Sequence, residues 1–179
     1  MKTNYVLPAV CLLSLIGFVT LTPSAHAGDG GPFSIGARAV SFMPNDGDTS
    51  WNGGLQARLR LPLMFAAELS VDHRKFDVGN HTVEDYPVQL SALIYILPKI
   101  IMVQPYIIGG GGWYNSTVEI PGAADDTDSR FAPHAGAGLE FSLGSKWFLD
   151  ATYRYVFLSE VGNIDDSGSM ITLGVNYRI

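Results

Sequence analysis

The stretch Trp147-Phe148-Leu149-Asp150-Ala151-Thr152-Tyr153-Arg154-Tyr155-Val156-Phe157 decides how this chain is read. Every second residue from Trp147 gives Leu149, Ala151, Tyr153, Tyr155 and Phe157, a face with no charge, while the other set holds Asp150, Thr152 and Arg154. Period two with unlike faces is the pattern of an extended strand. Such a strand fits a soluble sandwich, apolar side inward, or a lipid-embedded barrel, apolar side outward.

The same alternation recurs along the chain, in eight runs of about ten residues separated by turn or loop signals. The uncharged faces are predicted to be Phe33, Ile35, Ala37 and Ala39; Leu55, Ala57, Leu59 and Leu61; Phe65, Ala67, Leu69 and Val71; and Tyr86, Val88, Leu90, Ala92 and Ile94. The second half gives Tyr106, Ile108, Gly110, Gly112 and Tyr114; Pro133, Ala135, Ala137, Leu139 and Phe141; the quoted run; and Ile171, Leu173, Val175, Tyr177 and Ile179. The opposite faces carry Arg38, Arg58, Arg60, Glu68, Asp72, Glu140, Asp150, Arg154 and Arg178. Two features favour lipid over water. Aromatic residues (Phe33, Phe65, Tyr86, Tyr106, Tyr114, Phe141, Trp147, Phe157, Tyr177) gather at the ends of the apolar faces, as girdles at two lipid interfaces would. The connections also alternate: long at 43–51, tight at Pro62-Leu63, long at 73–85, short at 97–101, long at 115–130, short at 142–146 and long at 158–169. That rhythm belongs to an up-and-down barrel with external loops, periplasmic turns and both termini in the periplasm.

The geometry closes. Ten residues rise about 33 Å along a strand. At a tilt of about 40° this spans the roughly 25 Å apolar band of such barrels. Closure is obligatory, because an open edge in lipid leaves unpaired amides at several kcal/mol each.

Composition agrees. The 179-residue chain is 47% hydrophobic but only 16% charged, with 20 Gly and a net charge of −6. Disorder and a multidomain enzyme are excluded, and with 11 basic against 17 acidic residues nucleic acid is not an expected partner. Residues 1–27 read as a cleaved secretory signal: Lys2, an apolar stretch from Ala9 to Leu21, then Ala25-His26-Ala27. The stretch is short of the roughly 20 residues of a spanning helix. Cys11 follows Val10 inside it, which does not suit lipoprotein processing. The barrel is expected to occupy 28–179, without cysteine and hence without disulfides.

Three segments carry a resemblance. Gln104-Pro105-Tyr106-Ile107-Ile108-Gly109-Gly110-Gly111-Gly112, His134-Ala135-Gly136-Ala137-Gly138-Leu139-Glu140-Phe141 and Ile171 to Ile179 resemble the fifth, sixth and terminal strands of small eight-stranded outer-membrane barrels of the OmpA/OmpX type. This is the outer membrane protein beta-barrel domain group. The resemblance implies an all-β, antiparallel, up-and-down transmembrane barrel surrounded by lipid and lipopolysaccharide. It also implies a terminal strand read by the barrel-insertion machinery, though the usual terminal Phe is replaced by Ile179. The barrel is expected to be a monomer. No peptidoglycan-binding segment is expected after the last strand.

No catalytic, cofactor-binding or metal-binding residues are expected, and no cofactor. The glycines of strands five and six, 109–112 among them as a run of four, lack the helix and the Lys-Ser/Thr of a phosphate loop, and read instead as places where strands approach, the barrel curves, or an aromatic such as Tyr106 or Trp113 covers bare backbone. His134 and Glu140 share a face but stand about 20 Å apart along a strand, and Gly136 occupies the position where a lipid-A deacylase needs its Ser. The inward charges are expected to pair and plug the lumen rather than line an ion path. Most acidic residues (Asp46, Asp48, Asp72, Asp77, Glu84, Asp85, Glu119, Asp125, Asp126, Asp128, Glu160, Asp165, Asp166) are placed in or beside four external loops, with Arg74, Lys75 and Arg130. Asp125-Asp126-Thr127-Asp128 lacks the pattern of a defined calcium loop, so solvated, repulsive loops are expected there. The functional expectation is a non-enzymatic role in membrane integrity, adhesion or surface interaction. A narrow transporter for small or hydrophobic solutes and a lipid-A-modifying enzyme are the alternatives.

Overall fold

The computed structural model describes residues 31–44, 49–78, 81–97, 102–119, 126–157 and 167–179. Among them run β1 (Phe33–Pro44), β2 (Ser50–Arg60), β3 (Phe65–Val78), β4 (His81–Asp85), β5 (Val88–Tyr95), β6 (Val103–Glu119), β7 (Asp126–Leu143), β8 (Trp147–Val156) and β9 (Gly168–Arg178). Each strand pairs antiparallel with its neighbours, and β9 returns to pair with β1, from Ser34 opposite Arg178 to Pro44 opposite Gly168. No edge is left open.

The nine strands make eight staves, because β4 and β5 are two parts of one. Both lie between β3 and β6. The break falls at Tyr86-Pro87, where proline has no N–H for the ladder. The neighbours bridge it: Asp72 N–H donates to the Pro87 carbonyl at 3.1 Å, and Tyr86 N–H donates to the Asn115 carbonyl at 3.1 Å. At the opposite end the connections are tight, and the β7–β8 turn needs Gly144 at φ 83°.

The alternation seen in the sequence becomes an inside-out barrel. Ile35, Leu55, Leu90, Leu139, Tyr153, Leu173 and Val175 point out of the wall and are exposed to the surroundings, whereas Arg38, Glu68, Asp150 and Arg154 point inward and are buried. An apolar belt this continuous is a surface for lipid, not water. Aromatic pairs mark its two ends. Trp147 and Tyr177 meet edge to face at 5.0 Å near the turns, and Trp113–Phe131 and Tyr155–Phe157 do so at 5.2 and 5.0 Å toward the loops.

One stave contradicts the sequence reading. Tyr106, Ile108 and Tyr114 were assigned to the outer face and lie buried inside, while Ile107 and Trp113 face out. Tyr106 and Tyr114 therefore leave the girdles. This segment has no charge on either side between Val103 and Tyr114, so alternation could not set its phase. Seven of the eight faces keep the predicted phase.

The loops are also shorter than predicted. Strand pairing runs on through Val78–His81 and through Val118–Asp126, so much of 73–85 and 115–130 is hairpin. The 17-residue β6 would rise about 56 Å along its axis. This exceeds the band, so its hairpin with β7 continues beyond the lipid. Asp77, Glu84, Asp85, Glu119, Asp126 and Asp128 sit on these extensions. The leader at 1–27 and Asp46, Asp48, Asp125, Glu160, Asp165 and Asp166 lie outside the described residues.

Candidate functional site in the barrel interior

Every inward polar position is fixed by the pleat of its strand, so the eight staves aim their charges at one axis. Arg58 on β2 reaches across the full width. Its Nε and Nη2 donate to Glu68 Oε2 at 3.0 and 2.6 Å, Nη1 donates to Glu140 Oε2 at 3.1 Å, and Nη2 also donates to Asp150 Oδ2 at 3.0 Å. β2 and β7 stand opposite each other in the ring, and so do β3 and β8, which Arg154 joins by donating to Glu68 Oε1 at 2.5 Å. Arg38 forks onto Asp72, through Nε at 2.7 Å and Nη2 at 2.6 Å. Nearer the turns, Glu140 accepts from Arg60 and Arg178 and from the Tyr95 hydroxyl. Five arginines and four carboxylates form one lattice. The Arg38, Glu68, Asp72 and Arg154 side chains are 0% exposed.

The predicted pairing is thus present, and Arg178 joins it through Glu140. Asp72, expected on sequence both among the inward charges and beside the loops, lies inside, and Arg74, grouped with the loops, does too. Arg74 is buried, with its guanidinium 4.7 Å from the Phe42 ring and 5.0 Å from the Tyr114 ring. Around it Val40, Phe42, Tyr114, Ala132, Val156 and Met170 make an apolar cap over the charged lattice on the loop side. Gln89 links the two layers, accepting from Arg154 at 3.0 Å and donating to the Tyr114 hydroxyl at 2.9 Å. A second apolar cluster, Ala66, Leu93, Tyr95, Tyr106 and Ile108, fills the β3–β5–β6 side. Sequence alternation could not find this inner apolar material, because it looks like the lipid face.

Inward glycines make room for the lattice. Gly54 and Gly174 stand directly across from Asp72 and Asp150. A Cβ at either would overlap the partner's Oδ1, so each carboxylate lies over bare backbone. Tyr106 likewise lies over Gly138, bearing out the expected aromatic cover. Gly174→Ala is expected to lower stability by about 1–3 kcal/mol through overpacking. Gly109→Ala, whose added carbon meets nothing nearer than 3.8 Å, is expected to change it by no more than about 0.5 kcal/mol. Urea unfolding from lipid vesicles measures both.

His134 and Glu140 point inward on the same strand but do not meet. His134 Nε2 instead lies 2.8 Å from Ser91 Oγ on β5, a partner two staves away across Gly110 of β6 that sequence spacing could not reveal. Both are buried inside the barrel, and His134 Nδ1 has no hydrogen-bond partner among the described residues. A nucleophile and base placed there lack both the orienting third group and an approach for lipid. Among the described residues no cluster of three or more His, Cys, Asp or Glu could hold a metal.

The outer membrane protein beta-barrel domain family profile matches residues 11–178. No curated protein sequence matches significantly. Solved structures share the fold. Outer membrane protein OprG from Pseudomonas aeruginosa superposes with a TM-score of 0.69 at 13% identity, covering 84% of this chain and 97% of that one. Neisserial surface protein A does so at 0.64 and 17% identity, covering 82% and 96%. The attachment invasion locus protein of Yersinia pestis gives 0.55 and 20%, covering 86% and 100%. The resemblance seen in the three sequence segments is therefore borne out, and the chain belongs to the outer membrane protein beta-barrel domain family, as a closed eight-stranded barrel of the outer membrane.

Proposed function

We propose that this protein is a non-enzymatic, monomeric barrel that contributes to membrane integrity or surface interaction through the four connections at its loop end. In this reading the leader is removed after Ala27 and the turn end faces the periplasm. Lipopolysaccharide surrounds the outer half of the wall, and the terminal strand is read by the insertion machinery. One observation carries the proposal: ion pairs between opposite staves, Arg58 to Glu140 and Arg154 to Glu68, span the lumen. A lumen filled in this way is a rigid support, and chemistry toward the outside is left to the loops. The enclosed Ser91–His134 pair supports a non-enzymatic role. A fold neighbour named as an attachment invasion locus protein supports the surface-interaction reading.

Planar-bilayer recording of the purified protein tests this reading. The expected result is an unchanged baseline under applied voltage. Reproducible single-channel steps would overturn the plugged scaffold in favour of the narrow transporter. Cells expressing the protein with 158–166 replaced by a Gly-Ser linker are expected to lose surface binding while keeping the heat-modifiable gel mobility of a folded barrel.

A further inference from the structure

At the turn end, the mouth of the barrel holds a cavity of about 60 Å³ whose lining includes Arg60, Gln104, Tyr95, Phe65, Met64 and Leu63. That volume takes roughly four water-sized groups. Arg60 differs from the other lattice arginines in being partly open, its side chain 21% exposed. Its Nη2 donates to Gln104 Oε1 at 2.9 Å and to Glu140 at 3.0 and 3.1 Å. Nε and Nη1 remain as donors in a plane held 4.1 Å from the Tyr95 ring. Because Gln104 accepts through Oε1, its Nε2 is a further donor, and no described residue accepts from it. The nearby carboxylate offers nothing to a cation, since Glu140 already accepts from Arg58, Arg60, Arg178 and Tyr95.

Donors in surplus beside a carboxylate that is already occupied define a site for an oxyanion, and the guanidinium fork suits phosphate. The remaining wall is apolar and continuous with the lipid face: Leu63, Met64 and Phe65 are 92%, 44% and 46% exposed. The geometry points to a site that binds the phosphate of an amphiphilic lipid from the leaflet at the turn end. The phosphate lies on Arg60 and Gln104, and the acyl chains lie against Phe65 and Met64. The ligand chemistry is phosphate, and its source is the lipid headgroup rather than the free ion.

The test uses the full barrel with ¹⁵N-labelled arginine in octyl glucoside micelles, titrated separately with inorganic phosphate and with phosphatidylglycerol. The Arg60 Nε–H resonance, assigned by its loss in Arg60→Gln, is expected to shift at a lipid concentration at least tenfold below that of free phosphate. Leu63→Asp places a carboxylate at the exposed rim, in a left-handed turn position (φ 69°) that Asp tolerates better than Leu. It is expected to weaken the lipid response at least tenfold while keeping heat-modifiable mobility. An equal or tighter response to inorganic phosphate overturns the lipid source. No response to either titrant, or an unchanged response in Leu63→Asp, overturns the site.

Discussion

Glu68→Ala is expected to lower the unfolding free energy of the barrel by about 3–5 kcal/mol, among the largest losses a single substitution can cause here. Glu68 is fully buried and accepts from Arg58 through Oε2 and from Arg154 through Oε1, with Arg38 Nη1 3.6 Å away. Removing it strands Arg154, whose other hydrogen-bond partner among the described residues is the neutral Gln89, in a lumen filled by side chains. The cost is that of an unpaired buried cation rather than of one lost bond. The double variant Glu68→Leu/Arg154→Leu is therefore expected to recover part of the loss, with a coupling of about 0.5–3 kcal/mol. Tryptophan fluorescence during urea unfolding from vesicles reads both values. A loss below about 1 kcal/mol for Glu68→Ala would show that the lattice is hydrated and not a plug.

That lattice was largely legible in the sequence because charge is the strongest marker of phase. Arg58 and Arg60, Glu68 and Asp72, and Asp150 and Arg154 recur at even spacing, so each pair fixes which face of its strand turns away from lipid. Where charge is missing, legibility fails. Between Val103 and Tyr114 both faces are apolar or glycine, and only the cross-strand register, with Tyr106 opposite Gly138, fixes Tyr106 inside. Arg74 failed for another reason. It lies in the outer part of β3, where the alternation continues past the membrane into a hairpin, and a charged residue there reads as loop. Partners on different staves, such as Ser91 with His134, depend on shear and closure. One-dimensional spacing carries neither.

Leu173→Arg tests which solvent surrounds the wall. Leu173 is 52% exposed, points outward from the middle of β9, and is flanked in register by Ala39 and Ala151, so an arginine there has no partner on the surface. In a bilayer it must be held near the midplane, and the expected cost is about 2–4 kcal/mol. Leu143→Arg, outward at the turn end of β7, is expected to cost only about 0–1 kcal/mol, because its guanidinium reaches the interface. The dependence of the effect on depth separates the two environments. If water bathed this face, replacing an exposed leucine by arginine would leave stability nearly unchanged and raise solubility, at the centre of the strand as much as at its end. Equal effects at 173 and 143 would overturn the lipid assignment, whereas a steep dependence on depth follows only from an apolar slab centred on the belt. The same pair of variants locates the slab along the barrel, and therefore how far the β6–β7 hairpin stands clear of it.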